Sequence, residues 1–266
     1  MSLLESGLGG CAYARSELTD LLRRPTSLTR LVVGASEGTT GTRSVSQALR
    51  MLGLSKVWHY NYANNDSHGA SQHTHTSYHT SSHERIRMLA HLPYAVAARS
   101  FDFRVLGDYT AVLDTPVPQY LPFIFATFPN AVYILTDRSP LDWARSRAGK
   151  TNEAPAPLSA IYGSVESSHP MNSSATATLP AALGYHIHHT YVRCLVPPER
   201  LLVLNLFGKC SRDAWAELTA FLDRHHIGAP GVRLAAAPVT TRRFPGSRDA
   251  ECLETCVKGK CALSSS

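Results

Sequence analysis

One short stretch, residues 31–53, restricts the fold of this chain more than any other part of the sequence. Residues 31–33 are apolar, a turn rich in Gly, Ser and Thr begins at Gly34, and from Thr42 the pattern is that of a helix that Gly53 is expected to end. Such a strand-turn-helix unit places backbone N–H groups, hydroxyls and the positive end of a helix dipole around one small volume. That volume suits a phosphate or sulfate group, although a unit without a ligand would show the same pattern.

The rest of the chain alternates between short apolar runs and helical patterns. Strands are predicted at 29–33, 56–60, 109–113, 131–136 and 201–204. Helices are predicted at 42–52, 83–98, 118–128, 140–147, 185–195 and 213–224. This alternation predicts an α/β fold of three layers, with a mostly parallel central sheet flanked by helices.

Composition divides the chain into a domain with two flanking segments. Residues 1–28 are expected to form an N-terminal leader, 29–228 the α/β domain and 229–266 a basic, Cys-containing C-terminal tail. Within the domain, the polar stretch 61–83 and the Ala/Pro/Ser/Thr-rich stretch 149–181 are expected to be irregular insertions. Because they are the longest irregular stretches near the predicted strand ends, we expect them to form the cleft for an acceptor substrate.

The charge of the chain indicates an anionic ligand. Its formal net charge is +6 at pH 7, and its isoelectric point is about 9.1. Such a surface suits nucleic acid, a multiply charged small cofactor, or sulfated or phosphorylated glycans. The sequence has no Lys/Arg-rich run, so nucleic acid is not an expected partner.

The sequence also has no apolar run long enough to span a membrane, so we expect a soluble protein. That protein would be cytoplasmic as written, or lumenal (Golgi) if trimmed from a precursor.

Metal binding is not expected from the sequence, although two clusters of metal-ligating residue types occur. Histidines with suitable spacing lie in the first insertion, at His73, His75, His79 and His83, but a polar insertion is the favoured interpretation. Cysteines crowd the tail, at Cys252, Cys256 and Cys261. A disulfide, for example to Cys194 or Cys210, and reduced thiols are both compatible with this spacing. The compartment and the oligomeric state stay open.

The glycine-rich turn is not an ATP-binding P-loop of the usual form. That motif requires a lysine directly after its second glycine and another glycine five residues earlier. Here Thr42 and Arg43 follow Gly41, and Ser36 occupies the earlier position. An ATP-dependent kinase is therefore the minor interpretation.

A second motif follows the strand predicted at 131–136. Arg138 comes directly after this strand, and Ser146 lies eight residues further along the chain. A guanidinium at the strand end and a hydroxyl two helical turns away can hold one phosphate together. The alternative for Arg138 is a salt bridge to Asp137 or Asp142.

Together the two motifs resemble the sulfotransferase family, whose sulfuryl donor is 3′-phosphoadenosine 5′-phosphosulfate. The resemblance extends over residues 29–228 and implies a fold similar to that of P-loop NTPases. It implies that the turn binds the phosphosulfate through Gly38, Thr39, Thr40, Gly41, Thr42, Arg43 and Ser44. It implies that Arg138 and Ser146 bind the 3′-phosphate. Arg242 and Arg243 would belong to a basic loop over this cofactor, or simply to a solvated loop.

The resemblance also frames the expected chemistry. Family members usually carry a lysine or arginine just before the Thr-Gly-Thr turn, where Thr39 stands here, so Arg43 or a basic residue from elsewhere would have to supply that charge. Asp114 and His59 are the candidate bases, although Asp114 would also suit a helix cap and His59 a core residue. We therefore predict in-line transfer, without a metal, of a sulfuryl group to a hydroxyl or amine of a small-molecule or glycan acceptor. A non-catalytic nucleotide-binding or interaction protein is the alternative.

Overall fold

The computed structural model of the chain describes residues 26–60, 82–92, 94–148, 175–207 and 211–227. Within these ranges the strands are β1 (Val32–Gly34), β2 (Val57–His59), β3 (Ala111–Leu113), β4 (Val132–Asp137) and β5 (Leu201–Asn205). The α-helices are α1 (Thr42–Met51), α2 (Ser82–Met88), α3 (Tyr94–Ser100), α4 (Leu121–Thr127), α5 (Pro140–Ala148), α6 (Ala175–Leu195) and α7 (Ser211–Arg224). Short 3₁₀ helices cover Leu89–His91, Phe103–Asp108, Val117–Tyr120 and Pro198–Arg200.

The five strands form one parallel sheet in the order β2-β3-β1-β4-β5. The chain leaves β1 toward the β2 side of the sheet and leaves β4 toward β5, so the connections diverge between these two neighbouring strands. In open parallel sheets, ligands bind outside the carboxyl ends of the strands at such a point. The predicted α/β fold with a parallel sheet is confirmed. Its topology indicates that a ligand site would lie at the edge formed by the carboxyl ends of β1, β3 and β4.

Helices cover both faces of the sheet because alternate strand residues point to opposite sides. Val33 and Val112 pack on one face against α2, α4 and the end of α6. Val32 and Ala111 pack on the other face against α1 and α7. Strands buried on both sides read as continuous apolar runs, which is why they were recognisable in the sequence. The structure thereby confirms the three layers.

Helix α1 ends as its sequence predicts. Gly53 adopts a left-handed conformation with φ of +93°. The N–H of Gly53 donates to the carbonyl of Arg50, and the N–H of Leu54 donates to that of Leu49. This pair of bonds is a Schellman motif, which requires the left-handed residue that glycine supplies at least cost.

The structure differs most from the predicted elements in two segments. The helix expected over 83–98 is interrupted, because Leu92 is extended, as residues that precede a proline usually are. The expected irregular segment 149–181 is wrong at its end, since α6 begins at Ala175 and includes Pro180. The segments 1–25, 61–81, 149–174 and 228–266 lie outside the described residues. The predicted leader, tail and most of both insertions therefore stay predictions.

Two further sequence questions receive a partial answer. Cys194, near the end of α6, is disulfide-bonded, and every other cysteine of the chain lies outside the described residues. Within those residues, no helix has both the length and the apolar content needed to cross a membrane.

Gly53 and Gly184 provide a matched test of this backbone description. A Cβ added at either position would meet no atom within 4 Å, but only Gly53 has a positive φ. We expect Gly53→Ala to destabilise the fold by about 1 kcal/mol. Gly184→Ala, within helix α6, should stabilise it by about 0.5–1 kcal/mol. Urea unfolding of both variants checks this, and effects of the same sign would contradict it.

Candidate active site

The loop between β1 and α1, residues 35–41, crosses the carboxyl edge of the sheet. Gly41 has a φ of +96°, and a Cβ there would lie 2.7 Å from Cδ1 of Leu206, so glycine is required at this position. Thr39 also has a left-handed φ of 70°, which is unusual for a β-branched residue. Its buried Oγ1 has no hydrogen-bond partner among the described residues. The loop therefore holds a strained residue with an unsatisfied hydroxyl, a combination that is typical of binding sites.

Buried hydroxyl groups attach this loop to the end of β4. The side chain of Ser36 bonds to both the N–H and the carbonyl of Thr136. The Thr136 hydroxyl donates to Oγ1 of Thr40 at 2.6 Å, and the Thr40 hydroxyl donates to the carbonyl of Glu37 at 2.7 Å. The Thr40 hydroxyl is thus used within the loop, and Thr40 can offer only its backbone N–H to a ligand.

Side chains from beyond β4 hold the other side of the loop. Nε1 of Trp143 donates to the carbonyl of Gly38 at 2.9 Å. The Arg138 guanidinium donates to the carbonyl of Thr39 at 3.1 Å and lies 4.5 Å from the ring centre of Phe207. These contacts place Arg138 beside the loop, at the strand end where the sequence predicted it.

Asp114 and His59 form a buried pair at the ends of β3 and β2. Oδ2 of Asp114 lies 3.4 Å from Nε2 of His59, and the same nitrogen lies 3.3 Å from Oγ1 of Thr42. Burial lowers the pKa of His59, and the positive charges of Arg43 and Arg50 add to this effect, although Asp114 opposes it. The imidazole is therefore neutral at neutral pH. It joins a carboxylate to the first residue of α1.

Gly38 brings the loop against this pair. A Cβ at Gly38 would lie 3.0 Å from Oδ1 of Asp114 and 3.1 Å from a guanidinium nitrogen of Arg147. The absent side chain therefore lets a carboxylate and a guanidinium both approach the loop backbone. The carboxylate has one oxygen toward His59 and the other toward the loop, where an acceptor hydroxyl could be deprotonated.

A family model described as a sulfotransferase domain matches residues 31–250 of the chain. The chain belongs to this sulfotransferase family. It is also 29% identical, over 147 residues, to a protein of Aspergillus versicolor named "Ava biosynthesis cluster protein M". The match covers 47% of this chain and 53% of that protein, so the chain spans about half the length of this curated relative. The family predicted from the two sequence motifs is confirmed.

The sulfotransferase domain brings most of the predicted site residues to one place. Those that meet at the carboxyl edge are Gly38, Thr39, Thr40, Gly41, Thr42, His59, Asp114 and Arg138. Arg43 and Ser44 lie in the first turn of α1, with Arg43 exposed. Ser146 is half-buried on α5, and no hydrogen bond joins it to Arg138 among the described residues.

The remaining predictions about the site have different outcomes. Arg242 and Arg243 lie outside the described residues, so their place over a cofactor stays a prediction. Among the described residues, Arg138 does not form the salt bridge to Asp137 or Asp142 that was its alternative. Asp142 pairs with Arg145, and Asp137 lies against His189. Within the described part of the chain, no three His, Cys, Asp or Glu residues come together as a metal site would require.

Several residues of the site were not predicted from the sequence. Trp143 belongs to the segment between Arg138 and Ser146, but its bond to Gly38 spans 105 residues. His188 of α6 is fully buried, its Nε2 donates to the carbonyl of Ala35 at 2.7 Å, and burial lowers its pKa to about 4. Nothing in the sequence distinguishes His188 from a core residue, and only the structure shows that its helix faces the loop.

Glu37 is the loop residue whose burial is least expected. Its side chain is almost completely buried, and Oε1 has no hydrogen-bond partner among the described residues. Burial raises the pKa of Glu37 to about 7; the charge of Arg147 lowers this pKa and that of Asp114 raises it. The buried carboxyl group of this loop residue therefore keeps its proton up to about pH 7.

This burial predicts how stability depends on pH. The folded state retains the Glu37 proton up to about pH 7, whereas the unfolded chain loses it near the ordinary value of 4.5. The free energy of unfolding should therefore fall between these pH values, by at most about 3 kcal/mol. Glu37→Gln removes this term, so its stability relative to wild type should be higher at pH 8 than at pH 5.

Urea unfolding of wild type and Glu37→Gln at both pH values measures this difference. Glu199→Gln is the matched control, because the Glu199 side chain is exposed. It should change stability little at either pH. A difference between Glu37→Gln and wild type that is the same at pH 5 and pH 8 would contradict the prediction.

Proposed function

We propose that this sulfotransferase domain transfers a sulfuryl group from 3′-phosphoadenosine 5′-phosphosulfate to a hydroxyl or amine of a small-molecule or glycan acceptor. One observation carries the proposal. The carboxylate of Asp114 and the glycine-rich loop meet at Gly38, with 3.0 Å between Oδ1 and the position of a Cβ. A base and an anion-binding loop in contact are what transfer between a donor and an acceptor requires.

The loop residues fit the phosphosulfate end of this donor. Helix α1 begins at Thr42, directly after the left-handed Gly41, and directs the N–H groups of its first turn and the positive end of its dipole toward this end of the loop. The unsatisfied hydroxyl of Thr39 offers a further hydrogen-bond donor. Bound there, the donor would supply an activated sulfuryl group whose leaving group is a phosphate.

Asp114 is the base in this proposal, and His59 orients it. The acceptor proton passes to Asp114 as the acceptor oxygen or nitrogen forms its bond to sulfur. The bond from sulfur to the bridging oxygen breaks, and its electron pair stays on the phosphate. Neutral His59 holds the second carboxylate oxygen, with Nε2 at 3.4 Å, which keeps Oδ1 directed at the loop.

Arg138 and Ser146 would bind the 3′-phosphate, with Arg242 and Arg243 contributing from the tail. Arg138 uses one N–H group on the carbonyl of Thr39, and a guanidinium has five. The name of the Aspergillus versicolor relative refers to a biosynthesis cluster, which favours a small-molecule acceptor over a glycan.

Calorimetric titration with 3′-phosphoadenosine 5′-phosphate, without added magnesium, tests the donor site. We expect micromolar binding to wild type and much weaker binding of ADP, which lacks the 3′-phosphate. Arg138→Ala should weaken binding of the 3′-phosphorylated nucleotide by about 10- to 100-fold, because it removes charge-assisted hydrogen bonds.

The ADP control separates a direct role of Arg138 from an indirect one. If Arg138 contacts the 3′-phosphate, Arg138→Ala leaves the affinity for ADP unchanged. If it only holds the loop, through the carbonyl of Thr39, both nucleotides bind more weakly. Equal binding of ADP and 3′-phosphoadenosine 5′-phosphate by wild type would overturn the sulfonucleotide site itself.

Asp114→Asn tests the base. We expect this variant to bind 3′-phosphoadenosine 5′-phosphate as wild type does but to transfer sulfate between about a hundred and ten thousand times more slowly. The measurement is transfer of ³⁵S from labelled donor to a panel of phenols, alcohols and amines. His59→Gln should lose less, because it removes only the group that orients Asp114. If His59→Gln lost more of the transfer rate than Asp114→Asn, then His59 would be the base and Asp114 the residue that orients it.

A further inference from the structure

The loop that would hold the donor contains no cation of its own. Between Gly34 and Gly41 the one charged residue in the sequence is Glu37, which is acidic. Sulfuryl transfer moves negative charge onto the bridging oxygen as the bond to sulfur breaks, and such charge is stabilised by a positive group positioned in advance. This chain therefore needs a cation that reaches the loop from another element.

Helix α5 places a guanidinium at the loop. Trp143 and Arg147 lie one turn apart on this helix and face the same way. Trp143 holds the carbonyl of Gly38 at 2.9 Å, and NH1 of Arg147 lies 3.1 Å from where a Cβ of Gly38 would be. Consecutive turns of α5 thus contact one loop residue, and only a glycine leaves room for the guanidinium.

Arg147 lies near two acidic residues of the site, Asp114 and Glu37. The same point at Gly38 is 3.0 Å from Oδ1 of Asp114, so the guanidinium and the proposed base approach the loop at the same residue, beside the Cα of Gly38. Arg147 also acts electrostatically on Glu37 beneath the loop. It is half-buried, which strengthens its electrostatic interactions relative to those of a fully solvated charge.

The other described arginines near the site are less suitable. Arg43 is exposed on α1 and acts on His59. Arg138 donates to the carbonyl of Thr39 and packs on Phe207. Arg145, also on α5, is bonded to Asp142 at the surface.

We propose that Arg147 supplies the positive charge at the transferred sulfuryl group, stabilising the negative charge that develops on the bridging oxygen. This inference rests on the proposed function. The acceptor proton still goes to Asp114, and Arg147 gives up no proton. A helix residue thus does in this domain what a basic loop residue would otherwise do.

The test compares Arg147→Gln with Arg145→Gln, its neighbour on the same helix. Calorimetry measures the affinity for 3′-phosphoadenosine 5′-phosphate and for the intact phosphosulfate, which differ by the sulfuryl group. Arg147→Gln should weaken binding of the phosphosulfate by about 10-fold. Its affinity for 3′-phosphoadenosine 5′-phosphate should stay within about 2-fold of the wild-type affinity. Its rate of ³⁵S release to water should fall by about 100-fold or more. Arg145→Gln should match wild type in all three measurements.

A rescue variant separates chemistry from structural support. Thr39→Lys puts a cation into the loop, and lysine, which is not β-branched, tolerates the left-handed φ of 70° better than threonine does. In the Arg147→Gln background, Thr39→Lys should restore at least about a tenth of the wild-type rate. A merely structural arginine would not be replaced by a charge at position 39.

The outcomes distinguish this inference from the proposed function. If wild type fails to bind 3′-phosphoadenosine 5′-phosphate, the proposed function itself is wrong. If wild type binds and reacts but Arg147→Gln behaves as Arg145→Gln does, only the role of Arg147 is overturned. Equal weakening of both nucleotides by Arg147→Gln, without rescue by Thr39→Lys, would make Arg147 a structural residue and would also overturn the inference.

Discussion

The attachment of the β1 loop to the end of β4 is the constraint on which the site depends. Parallel pairing brings Gly34 level with Ile134, and the side chain of Ser36 then continues the ladder by bonding to the backbone of Thr136. Because the connections of β1 and β4 diverge here, the loop is held at the position where open parallel sheets bind their ligands. Together with the bonds that Trp143 and Arg138 make to the loop, this attachment fixes the position of the loop and of the helix that follows.

The strand positions were predictable, and the contacts that build the site were not. The apolar run 131–136 identified β4 almost to the residue, since buried parallel strands have continuous apolar sequences. The start of α6 was missed because Pro180 and its Ala/Thr-rich surroundings read as a loop. Their positions at predicted strand ends made Asp114 and His59 the candidate bases, but nothing local in the sequence links Trp143 to Gly38.

Glu37 shows why the loop could not be read in full from the sequence. A charged residue in a glycine-rich turn is expected to be solvated, yet its side chain lies beneath the backbone, where burial raises its pKa to about 7. This arrangement costs stability unless an opposite charge is close or the proton is kept. Arg147 provides the first, and the raised pKa the second, so the acidic residue and the arginine belong to one electrostatic arrangement.

Gly38 connects these features, because its lack of a side chain leaves room for two charged groups beside its Cα. Trp143 bonds its carbonyl, Asp114 and Arg147 fill the space beside its Cα, and Glu37 precedes it in the chain. Any larger residue would push the carboxylate and the guanidinium away from the loop. A glycine at this position therefore serves packing rather than a turn, and it brings groups from β3 and α5 to a loop that has no cation of its own.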